Sequence, residues 1–172
     1  MPKIIPNHKI ILLIRDPRDN AISIMNKNFG PCEISYASHY VRQRMDPYIA
    51  AADNAATEAT FVKYEDLLSN PIACVKNLEG FVEATVTADV ERKINELKIK
   101  KDNKQKWRKL NSRDLAASEA VFSDLISRFG YQSESNSDWT PSVLDRFTRN
   151  IKDKSLRIPQ KLRVKSRRYL RG

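Results

Sequence analysis

The apolar positions of this chain change period as they run. Ile10 to Ile14 are consecutive, bounded by Lys9 and Arg15. Such a run predicts a strand buried on both faces of a parallel sheet. Then the period switches: Ala21, Ile22, Met25 and Phe29 recur at helical spacing. Asp16 followed by Pro17 supplies an N-cap and a first helical residue. The unit is strand, tight turn, helix.

Gly30-Pro31 closes that helix. From Glu33 to Ala56 the pattern is helical again, with Tyr40, Val41, Arg44, Met45 and Tyr48 spaced by three and four and Pro47 placed to kink or divide it. Thr60 to Tyr64 is a second short strand, after which Glu65 and Asp66 begin a loop. Asn70-Pro71 starts a helix whose buried face is Ile72, Val75, Leu78 and Val82. Thr87 with Asp89 starts another, carrying Val90, Ile94 and Leu97. A lysine-rich loop leads to Trp107, which reads as a packing residue. Ser112 or Asn111 caps a helix through Phe129 with Leu115, Val121, Phe122, Leu125 and Ile126 inside, and Gly130 suits its C′ position. Ser133 to Ser137 is a polar linker. Thr140-Pro141 opens a last amphipathic helix with Val143 or Leu144, Phe147 and Ile151. Beyond Pro159 no structure is assigned.

Composition narrows the class. The 172 residues suffice for one domain with a core, and 41% apolar content is that of a globular protein. No apolar run approaches the roughly 20 residues that span a bilayer, and the first residues are too short for a secretory segment. A cytoplasmic location is favoured. Cys32 and Cys74 allow one disulfide, but two buried thiols in a reducing compartment is the favoured reading. Two histidines and two cysteines, far apart, give no metal-ligand spacing. Much of the +10 net charge lies in Arg157, Lys161, Arg163, Lys165, Arg167, Arg168 and Arg171. This tail reads as solvated or disordered, with nucleic acid or an acidic membrane surface as its alternative partner.

The candidate chemistry sits at the first turn. Arg15 enters it at the carboxyl end of a strand, where open α/β sheets bind ligands. The helix start favours an anion. Ser23 follows eight residues on, about two helical turns away. A guanidinium and a hydroxyl can then share one phosphate. The alternative is an Arg15 paired with Asp19 or Asp16 and a Ser23 on the surface; the pattern leaves both open. Neither His8, at the strand edge, nor His39, in a helix, is promoted to a base.

The string I-x-L-I-R-D-P-R-D-x-A-x-S resembles the 3′-phosphate-binding segment of sulfotransferases that use 3′-phosphoadenosine 5′-phosphosulfate (PAPS). The resemblance implies that Arg15 and Ser23 hold the 3′-phosphate. A second string, Phe61 to Leu68 followed by Asn70-Pro71, is similar to the family's "YEDL…P" segment, which implies Tyr64 against the adenine. A third, Lys100 to Leu110, puts Lys100 and Lys101 seven and six residues before Trp107, where the family has a basic pair on the 3′-phosphate. The glycines of that pattern are absent, with Asp102 and Lys106 among the residues in their place. The resemblance runs from about Lys9 to Tyr131.

It implies a partial, P-loop-like α/β domain over residues 1–131, with few parallel strands flanked by several helices. Residues 132–172 add a linker, an amphipathic helix and the basic tail. PAPS is the implied donor, adenosine 3′,5′-bisphosphate the product, and an unidentified hydroxyl or amine the acceptor, with no metal. The family's glycine-rich 5′-phosphosulfate loop, its leaving-group lysine and its upstream base have no counterpart here, so no catalytic residue is assigned. With only two strands, the chain reads as the carboxyl-terminal part of such a domain, expected to self-associate or to need a further segment. The rival readings are a non-catalytic nucleotide-binding remnant and a basic polyanion-binding protein.

Overall fold

The computed structural model describes residues 8–27, 29–54, 57–97, 104–135, 142 and 148–157. The elements, in order, are β1 (Lys9–Ile14), α1 (Pro17–Met25), α2 (Ile34–Ala52), β2 (Glu58–Lys63), α3 (Tyr64–Ser69), α4 (Pro71–Lys76), α5 (Glu79–Val82), α6 (Ala88–Glu96), a 3₁₀ turn (Lys106–Lys109) and α7 (Ser112–Arg128). A last helix, α8, covers 148–157. These residues divide into two compact units. One takes in Met1–Arg15 and Met45–Lys104, the other Asp16–Arg44 and Gln105–Gly172.

The first unit is built on the sheet. β1 pairs with β2 in parallel, in a register running from Lys9 opposite Glu58 to Ile14 opposite Lys63. The expected α/β architecture, few parallel strands among several helices, is the one observed. Two expectations about it are corrected. β1 is not buried on both faces: Ile14 is 5% exposed, but Ile11 and Leu13 are 44% and 54% exposed. Side chains alternate across a strand, and one face of this two-stranded ladder lacks cover. Second, β2 starts two residues earlier than its pattern suggested and ends one earlier, at Lys63, so Tyr64, Glu65 and Asp66 begin helix α3 rather than a loop.

Lys9 ties the start of β1 to the end of α5. Its ammonium donates to the Phe81 carbonyl (2.8 Å) and pairs with Glu83 (2.5 Å) and Glu58 (3.2 Å). The Glu83 hydrogen bond is the main reason that the ammonium holds its proton more tightly than usual. The stripe Ile72, Val75, Leu78, Val82 does not form one helix. The chain breaks at Asn77 and Leu78 into α4 and α5, neither of which buries a residue. Thr87 caps α6 as expected, accepting from the Val90 N–H, but Val90 and Leu97 are exposed.

The second unit has the denser interior. Phe122, Leu125 and Ile126 of α7 and Ile34, Ala37 and Val41 of α2 are all buried. Ser38 and Ser118 bring their hydroxyls within 3.0 Å in the same interior. α2 starts at Ile34 and ends at Ala52, and it runs through Pro47. Asn111, rather than Ser112, caps α7 by accepting the Asp114 N–H (2.9 Å). Gly130 takes the left-handed conformation expected after the helix, at φ 61°. Gly30 answers a close approach instead. A Cβ there would stand 2.3 Å from the Ile24 carbonyl oxygen. The helix stripe of α1 is shorter than its spacing promised: Ala21 is buried, while Phe29 is 72% exposed beyond the helix end. Residues 140, 141, 143–147 and the tail from 158 lie outside the described residues. Ile151 of α8 is exposed, and the buried positions of that helix are Arg149 and Asp153.

Candidate functional site

Parallel pairing in register brings the carboxyl ends of β1 and β2 side by side, because Ile14 stands opposite Lys63. The next residue on each strand is a member of the expected site. Arg15 places its guanidinium carbon 5.1 Å from the centroid of the Tyr64 ring. Both side chains are half-buried. A cation over an aromatic face at this depth is worth on the order of 1 kcal/mol and holds the plane of the guanidinium relative to the ring. The first unit thus brings Arg15 and Tyr64 together at the strand ends, where ligands of open α/β sheets bind. A groove of about 510 Å³ also runs along β2, α3 and α4, lined in part by Thr60, Lys63, Asp66, Asn70 and Cys74. Arg15 and Tyr64 are not among its walls.

The second unit carries Ser23 on α1. It is half-buried, and no hydrogen bond engages its hydroxyl among the described residues. The helix beneath it is fixed by buried charge. Asp16 caps α1 by accepting the Arg18 N–H (3.0 Å), and both its oxygens also take the Arg18 guanidinium, at 3.0 Å from Nε and 2.7 Å from Nη2. Arg18 is wholly buried and reaches Glu119 of α7 with its remaining nitrogen. Its guanidinium carbon lies over the Trp107 ring, 3.7 Å from the centroid. Asp19, also buried, accepts the backbone N–H of Trp107 (3.1 Å). Asp16 thus binds the Arg18 guanidinium, and Asp19 the backbone of Trp107.

Glu119 closes this network. Burial pushes its carboxyl up, but the hydroxyls of Ser135 and Ser133 and the backbone N–H groups of Ser135 and Glu134 outweigh it and hold the carboxyl at about 2. A carboxylate that accepts several such bonds stays ionised. A second buried cluster joins Arg149 to Glu33 and Asp114, with Asp153 accepting from the backbone N–H groups of Cys32 (2.7 Å) and Glu33 (3.2 Å). Sequence reasoning missed all of these. A charged residue reads as surface by composition, and the partners lie as far as 121 residues apart. The one available signal was the repeated R-D of Arg15-Asp16 and Arg18-Asp19.

Trp107 is buried, in keeping with a packing role, and its indole N–H has no hydrogen-bond partner among the described residues. Just before the 3₁₀ turn, Gln105 adopts φ 55°, the left-handed conformation that glycine favours. Lys100 and Lys101 lie outside the described residues. His8 and His39 are exposed. Cys32 and Cys74 are free and part-buried, and burial is the main cause that pushes both thiols up. Among the described residues, no group of acids, histidines and cysteines could hold a metal ion, and no helix is long and apolar enough to cross a membrane.

A model of the sulfotransferase family matches residues 1–89, more than half of the chain. The chain belongs to the sulfotransferase family. No curated protein and no solved structure matches it. The sulfotransferase match takes in β1, α1, β2 and α3, and with them Arg15, Ser23 and Tyr64, and it ends before the lysine-rich loop.

Proposed function

We propose that this sulfotransferase-family chain takes part in transfer of a sulfuryl group from PAPS to an acceptor hydroxyl or amine, and that it carries the half of the donor site for the 3′-phosphate and adenine. Arg15 and Ser23 hold the 3′-phosphate, and Tyr64 lies against the adenine. Lys100 and Lys101 add basic contacts. The observation that supports this most is the Arg15–Tyr64 pair at the carboxyl ends of two parallel strands. A guanidinium steadied by an aromatic face presents its planar fork in a fixed orientation, which suits a tetrahedral anion. The charge of the donor also suits a chain at +10.

The test is a comparison of two nucleotides by calorimetry at fixed salt. Adenosine 3′,5′-bisphosphate should bind more tightly than adenosine 5′-monophosphate, since only the former has the extra phosphate. A charge-assisted hydrogen bond contributes about 1.5–3 kcal/mol, or roughly tenfold to a hundredfold in affinity. Arg15→Ala should remove most of that preference, Arg15→Lys part of it, and Ser23→Ala less. Equal affinity for the two nucleotides, or a preference that survives Arg15→Ala, would overturn the proposal and leave only nonspecific attraction to a basic surface.

A further inference from the structure

Arg18 is a charged side chain with no exposed surface. A buried ion pair adds little net stability, because desolvation offsets its attraction. Its contacts point to a different role. Asp16 already caps α1 with Oδ1, which accepts the Arg18 N–H. The Arg18 guanidinium then adds two bonds to the same carboxylate, from Nε to Oδ1 at 3.0 Å and from Nη2 to Oδ2 at 2.7 Å. A cap needs one acceptor oxygen. A two-pronged contact also fixes the plane of the carboxylate.

The guanidinium is itself held by its third nitrogen and by one face. Nη1 reaches Glu119 of α7, and the Trp107 ring lies against the guanidinium carbon. Glu119 is bound in turn by the hydroxyls of Ser133 and Ser135 and by the backbone N–H groups of Glu134 and Ser135. A line of fixed contacts thus runs from 133–135 through Glu119 and Arg18 to Asp16. Asp16 directly follows Arg15 in the chain. The Arg15 side chain meets the Tyr64 ring, and the Arg15 backbone passes straight into the clamped residue.

We propose that Arg18 is a positioning residue: through the Asp16 carboxylate it fixes the turn that aims Arg15 at the phosphate. The inference rests on the donor-site reading above, and in it Arg18 touches no nucleotide. What matters is the fork and not the charge. A lysine would keep the charge balance among the buried acids. As a point charge it cannot grip both oxygens of Asp16 and Glu119 at once.

The test sets Arg18→Lys beside Arg149→Lys, the same change in the other buried cluster of this unit, where Arg149 bridges Glu33 and Asp114. Each variant of the full chain is first checked for cooperative unfolding in urea. Calorimetry with adenosine 3′,5′-bisphosphate and adenosine 5′-monophosphate follows, well below the midpoint. In Arg18→Lys the preference for the bisphosphate should fall roughly threefold to tenfold. In Arg149→Lys it should stay within about twofold of the wild type, although the fold is weakened. Should Arg18→Lys not fold, Glu119→Gln, which removes the charge of the far anchor and leaves the fork, replaces it with the same expectation. A preference intact in that variant but lost in Arg15→Ala would sink the positioning role and leave the donor reading standing. An equal fall in the Arg149→Lys control would reduce Arg18 to general support of the fold and overturn the inference. A wild-type chain with no preference would overturn both.

Discussion

The two units bury different things. In the first, the buried apolar residues are Ile14, Ile49, Val62 and Leu68, while Ile11, Leu13, Tyr48, Val82, Val90 and Leu97 are exposed. In the second, every buried polar or charged side chain of the described residues is found, from Asp16, Arg18 and Asp19 to Glu119, Arg149 and Asp153, along with the aromatic core of Trp107, Phe122 and Phe129. One unit holds two candidate residues, Arg15 and Tyr64, just past the ends of a thin sheet. The other holds Ser23 on a helix locked by ion pairs. The difference bears on stability and on precision. Buried ion pairs are weak evidence of net stability, since desolvation offsets their attraction. Breaking one from a single side is costly. The second unit should therefore tolerate surface change and fail at its charges, and the first should fail at its few buried apolar positions.

The largest effect should come from Glu119. Glu119→Ala leaves Arg18 buried with one partner gone and strands the Ser133–Ser135 backbone. A loss of about 3–5 kcal/mol is expected, measured by urea unfolding. Acid gives a second reading of the same group. Its folded carboxyl titrates at about 2, below the ordinary value of an unfolded glutamate. A depressed carboxyl stabilises the fold above the unfolded value, and that stability is lost as pH falls toward 2. Unfolding midpoints should drop steeply between about pH 4.5 and 2, and Glu119→Gln should flatten the drop. An unchanged acid limb in Glu119→Gln would assign the stability to other groups.

Gly30 should come next. Gly30→Ala drives a methyl group into the Ile24 backbone carbonyl oxygen at 2.3 Å, so the turn after α1 must shift. The expected cost is about 1–3 kcal/mol, the range of overpacked sites. Ser23 lies one residue before Ile24, so the variant should also loosen bisphosphate binding in calorimetry. A stable variant with intact nucleotide preference would show that this end of α1 does not shape the subsite.

How much of this was legible follows from range. The caps at Asp16, Asn70, Thr87 and Asn111 are local, set by a side chain and an N–H two or three residues on, and the pattern found their positions. The parallel pairing of β1 and β2 was legible too, because apolar runs and a helical crossover leave few topologies. Burial was not. A stripe such as Ile72, Val75, Leu78 and Val82 says which residues would face a core, not whether enough chain is there to cover them. The Arg18–Glu119 and Arg149–Glu33 pairs invert the polarity rule at long range, and no window of sequence reports that. Of the site, Arg15 and Tyr64 could be read because each follows a strand; the Trp107 anchor on Asp19 could not.

The smallest effect should fall on the open face of β1. Leu13 is 54% exposed and alternates with Ile14, which is 5% exposed on the other side. Leu13→Thr keeps a residue suited to strands and removes apolar surface that already meets water. Surface changes of this kind stay within about 0.5 kcal/mol. Ile14→Thr, one position along, puts a hydroxyl into the buried face and should cost several times more. The pair of variants, compared by urea unfolding, measures the polarity of the strand directly. If Leu13→Thr costs as much as Ile14→Thr, the outer face of β1 is covered in solution, and the first unit has a core that the exposed positions of Ile11 and Leu13 do not suggest.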